Sequence, residues 1–341
     1  MDIRIVSLGK ALPKYSATQE EAFAHFGYKS PLTRRVFLNA GIDRRYSWVD
    51  PARFKDNPGW QELTQEYSAG ATSLGYQAAH EALGEYPVEN IGQITFASVT
   101  GYTCPSLSYA IAGKLGLPRN VVHSNLLGQG CQASLPALER ACDWVRSHPE
   151  KAALVVSAEI CSATWFPADE RDLDYMVSSA IFGDAAAAAL VSFSLDTRYP
   201  VVLDFESYFD PEYLGLLGYK WEQGRMKVVL SRRVPEIVPG LLKKTVDRLL
   251  DRNKLAYKDI AHWIIHPGGK SVLENIEKAL GLTHEDTFWS WEAMRQVGNT
   301  SSATIGIIGK LMQKGKNGGG YGVVATMGAG TAINAALLRW N

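Results

Sequence analysis

The chain has 341 residues, with 35 basic and 35 acidic side chains, so its formal charge is zero. Hydrophobic residues make up 46% and charged residues 21%, which is ordinary for a packed globular protein. The balanced charge argues against a nucleic-acid-binding protein, which usually carries a basic excess. The longest apolar stretch, residues 322–338, is interrupted by threonine, glycine and asparagine, so no membrane span is predicted.

The cysteines and the first residues of the chain indicate where in the cell the protein is expected. Cys104, Cys131, Cys142 and Cys161 are too few and too widely spaced for a disulfide scaffold or a Cys-x-x-Cys zinc site. Residues 1–4 lack the basic start and apolar run of an export signal. We therefore expect a soluble cytoplasmic protein with reduced thiols.

In chain order, the predicted elements occur twice. The first series is a strand over 94–99, a helix closing near 117, a helix from 130 to about 145 and a strand over 153–157. The second series is a strand over 262–265, a helix closing near 282, a helix from 298 to about 312 and a strand over 322–326. The repeat predicts a duplicated domain with halves 1–195 and 196–341, although coincidence between two ordinary strand–helix units is an alternative.

Alternating strands and helices predict α/β layers with mostly parallel central strands. The helices that begin near 131 and 299 are poor in charge in their first turns, which indicates helices enclosed by sheets. The segment 195–234 has weak periodicity and is predicted to be a crossover that carries irregular binding elements.

A cysteine, a histidine and an asparagine occupy related places in the two halves. Cys131 and Asn299 each follow a glycine at a predicted helix start, where free N–H groups and positive potential lower the pKa of a thiol. His266 ends a strand beside the flexible turn 267–269. Together they predict a nucleophile, a base or donor, and an orienting amide in one cleft.

Each of these residues also has a purely structural interpretation. Cys131 could be a small buried side chain, as we expect for Cys142 and Cys161. Asn299 could be a helix N-cap, and a single histidine usually satisfies local hydrogen bonds. The position of the three residues at symmetric strand and helix ends favours the functional interpretation.

Three motifs in chain order resemble those of the thiolase-fold condensing enzymes. They are Gly130-Cys131, Ile265-His266-Pro267-Gly268-Gly269 and Gly298-Asn299-Thr300-Ser301-Ser302-Ala303. The His-Pro-Gly-Gly form resembles the type III polyketide synthases, the chalcone-synthase-like group, and so do residues 154–159 and 181–186. The resemblance implies a thiolase-like α/β fold with duplicated αβαβα halves and buried central helices.

The resemblance also implies a reaction. Cys131 would take an acyl starter from CoA as a thioester. His266 and Asn299 would hold the malonyl thioester carbonyl and stabilise the enolate that forms when carbon dioxide leaves. His266 would also keep Cys131 ionised, as a thiolate–imidazolium pair. Acyl-CoA and malonyl-CoA would be substrates, and no metal or bound cofactor is implied.

Four further residues are implied to bind substrate. Phe182 matches the family's aromatic gate between CoA tunnel and cavity, and Val228 stands at the second gating position. Cys104 matches a residue that crosses a dimer interface into the neighbouring cavity, which implies a homodimer. For Phe182 and Cys104, plain packing is the alternative.

The fourth residue, Arg35, matches one of the family's basic CoA contacts. Leu32 and Asn39, however, stand where lysines are common in that role. The alternative is that Arg35 belongs to a solvated helix face.

Residues 326–330, Thr-Met-Gly-Ala-Gly, depart from the family's Gly-Phe-Gly-Pro-Gly stretch. The ending, 328–340, is closer to the ketoacyl synthase that initiates fatty-acid synthesis, which leaves the cavity shape and the number of extensions open. Two rival hypotheses remain. One is an initiating ketoacyl synthase that condenses once and takes its malonyl group from a carrier protein. The other is a non-catalytic paralogue.

Overall fold

The computed structural model describes residues 2–166, 169–313 and 318–341. Its α-helices are α1 (Gln19–Phe26), α2 (Pro31–Leu38), α3 (Trp60–Leu83), α4 (Leu107–Leu115), α5 (Ser134–Ser147), α6 (Leu173–Ile181), α7 (Val234–Arg252), α8 (Lys270–Leu280), α9 (Phe288–Val297) and α10 (Thr304–Met312). Its strands are β1 (Asp2–Ala11), β2 (Tyr15–Thr18), β3 (Arg44–Ser47), β4 (Ile91–Ser98), β5 (Val122–Leu127), β6 (Ala152–Glu159), β7 (Ala185–Ser194), β8 (Val201–Tyr208), β9 (Leu217–Glu222), β10 (Arg225–Leu230), β11 (Ile260–Ile265), β12 (Gly320–Met327) and β13 (Ile333–Trp340). None of the helices in these ranges is long and apolar enough to cross a membrane.

One sheet of nine strands organises the molecule, in the order β11-β12-β13-β8-β1-β7-β6-β4-β5. Apart from the edge strand β5, the order is symmetric about the β8–β1 pair, because β4, β6 and β7 correspond in chain order to β11, β12 and β13. β1 and β8 meet at Arg4 and Val201. The duplication predicted from the sequence is therefore present as two sets of strands with the same order. The two sets meet where β1 pairs with β8.

The prediction of mostly parallel central strands is wrong for the middle of this sheet. Parallel pairs occur only toward its two ends, between β11 and β12 and between β4 and its neighbours β5 and β6. From β6 to β12, the five successive pairs are antiparallel. β13 follows β12 after the short connection 328–332, and a parallel return needs a dozen or more residues.

The segment 195–234 also differs from the expected irregular crossover. It contains β8, which completes the sheet, and the two-stranded hairpin of β9 and β10. Glu206 of β8 is buried and pairs with Arg248 and Arg252 of α7. A buried carboxylate needs such partners, and partners from a distant helix cannot be recognised in a single strand's sequence.

The helices that follow the two candidate catalytic turns, α5 and α10, contribute to the same central apolar cluster. Gly306 of α10 lies so close to β7 that a Cβ there would stand 2.5 Å from the Cβ of Ala187. The turns that precede the two helices are in contact with each other. The expected buried central helices are confirmed, and their starts meet at one place.

Candidate active site

Cys131 lies in the short 3-10 turn Gly130–Gln132, which leads into α5. Gly130 has φ +68°, and a Cβ there would stand 2.6 Å from the backbone nitrogen of Ala329. That nitrogen donates a hydrogen bond of 3.1 Å to the carbonyl of Gln129. The glycine is therefore required where a loop of the second half approaches the cysteine turn.

Asn299 follows Gly298 at the end of α9, and its side-chain amide is held at both ends. Oδ1 accepts a hydrogen bond of 2.9 Å from the backbone N–H of Ser301, and Nδ2 donates one of 2.9 Å to the carbonyl of Gly268. A backbone N–H only donates and a carbonyl only accepts, so these two bonds fix the orientation of the amide. The second hydrogen of Nδ2 has no acceptor among the described residues.

His266 directly follows β11. Its backbone N–H donates to the carbonyl of Ala325 at 2.9 Å, which continues the pairing of β11 with β12 by one residue. The residue is 1% exposed, and within the described ranges Nδ1 has no hydrogen-bond partner. The backbone of His266 is therefore fixed by the sheet, while one ring nitrogen remains free for a ligand.

A series of contacts links the three candidate residues. The turn that carries Cys131 contacts the turn Ser301–Ala303, and the Ser301 hydroxyl acts to lower the pKa of the Cys131 thiol. The backbone of Ser301 holds Asn299, and Asn299 in turn holds Gly268. Gly268 lies two residues after His266, in the same turn. The structure therefore connects the cysteine turn, the asparagine and the histidine loop in one site built from both halves.

Burial changes the acid–base balance of this site. It raises the pKa of the Cys131 thiol to about 12, although the hydrogen bond from Ser301 acts in the opposite direction. Burial lowers the pKa of the His266 imidazole to about 3. Taken singly, each group is therefore neutral near pH 7. The resting ion pair implied by the resemblance requires each charge to stabilise the other.

A buried carboxylate that the sequence analysis missed lies beside the site. Glu159, the last residue of β6, accepts hydrogen bonds from the hydroxyls of Ser301 and Ser302 at 3.3 and 2.5 Å. Its other oxygen accepts from the backbone N–H groups of Val99 and Thr100. Burial raises the pKa of Glu159. An acid at the end of a nearly apolar strand was the signal that could have identified it.

Phe182 and Val228 are brought to one cavity of about 80 Å³. Phe182 forms a parallel bridge with Asn299, so this phenylalanine is tied to the candidate catalytic residues. Cys161 and Tyr219 line the same cavity. Tyr219 was missed by the sequence analysis, because it reaches the cavity only as the cross-strand partner of Val228 in the β9–β10 hairpin.

Arg35 lies at a separate and larger cleft of about 710 Å³. The cleft is also lined by Leu32, Asn39, Arg232, Lys270 and Gly268. In the described part of the chain, Arg35, Arg232 and Lys270 form no ion pair, whereas the neighbouring Arg34 pairs with Glu20. Asp174 and Glu274 also line the cleft, so its charge is mixed with a cationic excess.

Cys104 is exposed, in the loop before α4. Tyr102 and Tyr109 nearby in the chain are 65% and 55% exposed, and Leu127 on the edge strand β5 is 41% exposed. Exposed aromatic and aliphatic side chains of this kind form a surface that a partner can cover. The structure of one chain does not bring Cys104 into the network of Cys131, Asn299 and Gly268.

Comparison with known proteins defines the class. Residues 58–194 match the chalcone and stilbene synthases, N-terminal domain, and residues 209–340 match their C-terminal domain. The chain belongs to the chalcone and stilbene synthase family. It is a type III polyketide synthase, and hence a decarboxylating condensing acyltransferase, which confirms the resemblance drawn from its motifs.

Individual relatives agree with this assignment. The 3,5-dihydroxyphenylacetyl-CoA synthase of Streptomyces toyocaensis is 32% identical over 99% of this chain and 90% of that protein. A putative chalcone synthase of Bacillus subtilis is 30% identical over 98% of each chain. The type III polyketide synthase domain of Steely1 from Dictyostelium has a TM-score of 0.91 at 24% identity, with 99% of both chains covered. The thiolase-like fold is thereby confirmed, and the rival initiating ketoacyl synthase is not favoured.

Proposed function

We propose that Cys131 takes an acyl group from CoA and that malonyl-CoA extends it by decarboxylative Claisen condensation. The observation that carries this proposal is the series of contacts from Cys131 through Ser301 and Asn299 to Gly268. It joins a thiol, a fixed amide and the histidine loop, which are the groups that the reaction requires.

Loading begins with a proton transfer. His266 accepts the proton of the Cys131 thiol, and the thiolate attacks the thioester carbonyl of the starter. The CoA sulfur leaves and takes the proton back from His266. Because burial alone keeps both groups neutral, the imidazole is the group that makes the thiol reactive near pH 7.

Extension requires an enolate. When carbon dioxide leaves malonyl-CoA, the electron pair of the broken bond passes to the α carbon and the thioester oxygen becomes negative. The free N–H of Asn299 and a ring N–H of His266 stabilise that oxygen without reorganisation. The α carbon then attacks the acyl group on Cys131, a carbon–carbon bond forms, and the Cys131 thiolate leaves.

The cleft at Arg35 is proposed to receive the CoA moiety. Arg35, Arg232 and Lys270 lack carboxylate partners in the described residues, so they are available to phosphate groups. Gly268 lines this cleft and also binds Asn299, so the cleft leads toward the amide. Arg232 and Lys270 would then supply the charge that Leu32 and Asn39 do not.

Phe182 and Val228 are proposed to shape the cavity that receives the acyl chain. Tyr219 narrows the same cavity. The described lining of this cavity does not include Cys131, His266 or Asn299, and its link to them is the bridge between Phe182 and Asn299.

A homodimer is proposed in which Cys104 and the exposed residues around it meet a second copy. Its support is the exposure of Tyr102, Tyr109 and Leu127 on one region of the chain.

A cytoplasmic location is supported by the four free cysteines in the described residues. The division into halves 1–195 and 196–341 is supported by its place in the chain, because it falls between the end of β7 and the start of β8.

The test is product formation from malonyl-CoA and a set of acyl-CoA starters, compared with malonyl groups on a carrier protein. We expect wild-type protein and a Cys142→Ala control, which removes a cysteine of the core, to form extended products from malonyl-CoA. Cys131→Ala is expected to form none. Full product formation by Cys131→Ala would overturn the proposal. Activity with malonyl groups on a carrier protein but not with malonyl-CoA would show that malonyl-CoA is not the extender.

A further inference from the structure

A buried arginine lies behind the segment that carries Phe182. Arg45 of β3 is 6% exposed. Its Nη1 donates hydrogen bonds of 2.6 and 2.8 Å to the carbonyls of Ser179 and Phe182. Both carbonyls belong to the end of α6, where a cation is favoured because the last carbonyls lack helical partners. The guanidinium therefore joins the backbone of Phe182 to β3.

The same side chain contacts the segment that carries Asn299. Gly298 has φ +74°, and a Cβ there would stand 3.1 Å from Cγ of Arg45 and 2.8 Å from the carbonyl of Ile181. The backbone N–H of Asn299 donates to Ile181 at 2.8 Å, and the N–H of Gly183 donates to the carbonyl of Asn299 at 3.0 Å. Arg45 thus contacts the Phe182 segment and the Asn299 segment, which are hydrogen-bonded to each other.

Burial disfavours the charge of Arg45 more than its surroundings favour it, so its pKa is lowered to about 10. In the described part of the chain, Arg45 has no carboxylate within ion-pair distance and its Nε has no partner, although the buried Asp184 attracts its charge. The rings of Phe26 and Phe37 lie 6.0 and 5.7 Å from the guanidinium carbon. An apolar side chain would avoid the cost of removing a charge from water, but it would not donate to the carbonyls of Ser179 and Phe182. What the guanidinium adds is a rigid pair of contacts to fixed carbonyls.

We propose that Arg45 is a positioning residue that fixes the Phe182 segment against Asn299 and so holds the amide where the enolate oxygen forms. This inference rests on the proposed function. Arg45 makes no hydrogen bond to Cys131 among those described, although it lines the same cavity as Phe182. Its removal is therefore expected to lower decarboxylation more than acyl loading.

The experiment compares Arg45→Met with Arg44→Met in the full-length protein. Arg44 is the adjacent residue; it is exposed, and its side chain donates a hydrogen bond to Ser16. Three quantities are measured for each variant: the rate of acyl transfer to Cys131, the kcat and KM of malonyl-CoA decarboxylation, and the unfolding midpoint. A purely structural role would lower loading and decarboxylation in equal proportion.

We expect Arg45→Met to load Cys131 within about threefold of wild type, while kcat for decarboxylation falls about 30-fold or more with little change in KM. Arg44→Met is expected to resemble wild type. Arg45→Lys keeps the charge but not the fork, and should show the same selective loss, about tenfold. It decides the question if Arg45→Met fails to fold.

Equal losses of loading and decarboxylation in Arg45→Lys, or decarboxylation within threefold of wild type in a folded Arg45→Met, would overturn the inference. Either result leaves the proposed function intact, provided that wild type loads and decarboxylates. If wild-type protein does neither, the proposed function itself fails.

Discussion

The side-chain amide of Asn299 donates a hydrogen bond of 2.9 Å to the carbonyl of Gly268, two residues beyond His266. Its oxygen is held by the backbone of Ser301, which has φ +53°, an uncommon conformation for a residue other than glycine. Strain of this kind persists where the surrounding structure requires it. The orientation of the amide is therefore set before any substrate arrives.

This relationship predicts a selective defect in Asn299→Ala. The variant loses one of two donors to the enolate oxygen, so its malonyl-CoA decarboxylation should fall about 10²–10³-fold. Acyl transfer to Cys131 should persist, because the Ser301 hydroxyl and the thiol remain. Release of carbon dioxide and mass of the acylated protein measure the two steps. A parallel loss of both steps would contradict the assigned role.

The acid–base properties of the site predict a pH dependence for alkylation of Cys131. A thiol of pKa about 12 is almost wholly protonated at neutral pH, so its thiolate fraction rises about tenfold per pH unit. His266→Gln should show this steep profile from pH 6 to 10. Wild type should react at least about tenfold faster at pH 7, because the imidazole accepts the proton.

Iodoacetamide, followed by mass analysis of the peptide that contains Cys131, measures both profiles. Cys131→Ala serves as the blank for reaction at other cysteines. Superimposable profiles for wild type and His266→Gln would show that His266 does not act on this thiol.

Two glycines allow the cost of a left-handed backbone to be measured apart from the cost of a close backbone contact at the cysteine turn. Gly130 and Gly116 have φ +68° and +70°, but only at Gly130 would a Cβ meet another backbone, at Ala329. Gly116→Ala should lose about 1–2 kcal/mol of unfolding free energy, the cost of a left-handed alanine. Gly130→Ala should lose clearly more. Urea unfolding measures both, and equal losses would contradict the packing described.

The cationic cleft predicts effects on KM rather than on kcat. Arg35→Ala and Lys270→Ala should each raise the KM for malonyl-CoA about three- to tenfold, since each removes one charge-assisted contact with phosphate. The effect should shrink at high salt because screening weakens exposed charges. Arg34→Ala, which removes an exposed arginine already paired with Glu20, is the matched control. An unchanged KM in both cleft variants would place CoA elsewhere.

The positions of Cys131, His266 and Asn299 could be predicted because each depends on a local pattern of strand, glycine and helix. Glu159 and Arg45 could not, since their roles depend on hydroxyl and carbonyl partners far away in the chain. The expectation of mostly parallel central strands was wrong, because a strand's direction follows from the length of its connection and not from its own residues. Sequence patterns therefore predict the elements and the candidate nucleophile, while the supporting contacts require the structure.

The most direct test of the central claim is the mass of intact protein and of its Cys131 peptide, first with an acyl-CoA starter and then with malonyl-CoA. We predict an acyl adduct on Cys131 that disappears or lengthens when malonyl-CoA is added, with release of carbon dioxide. A stable adduct on another residue, or extended product from protein without Cys131, would contradict the account.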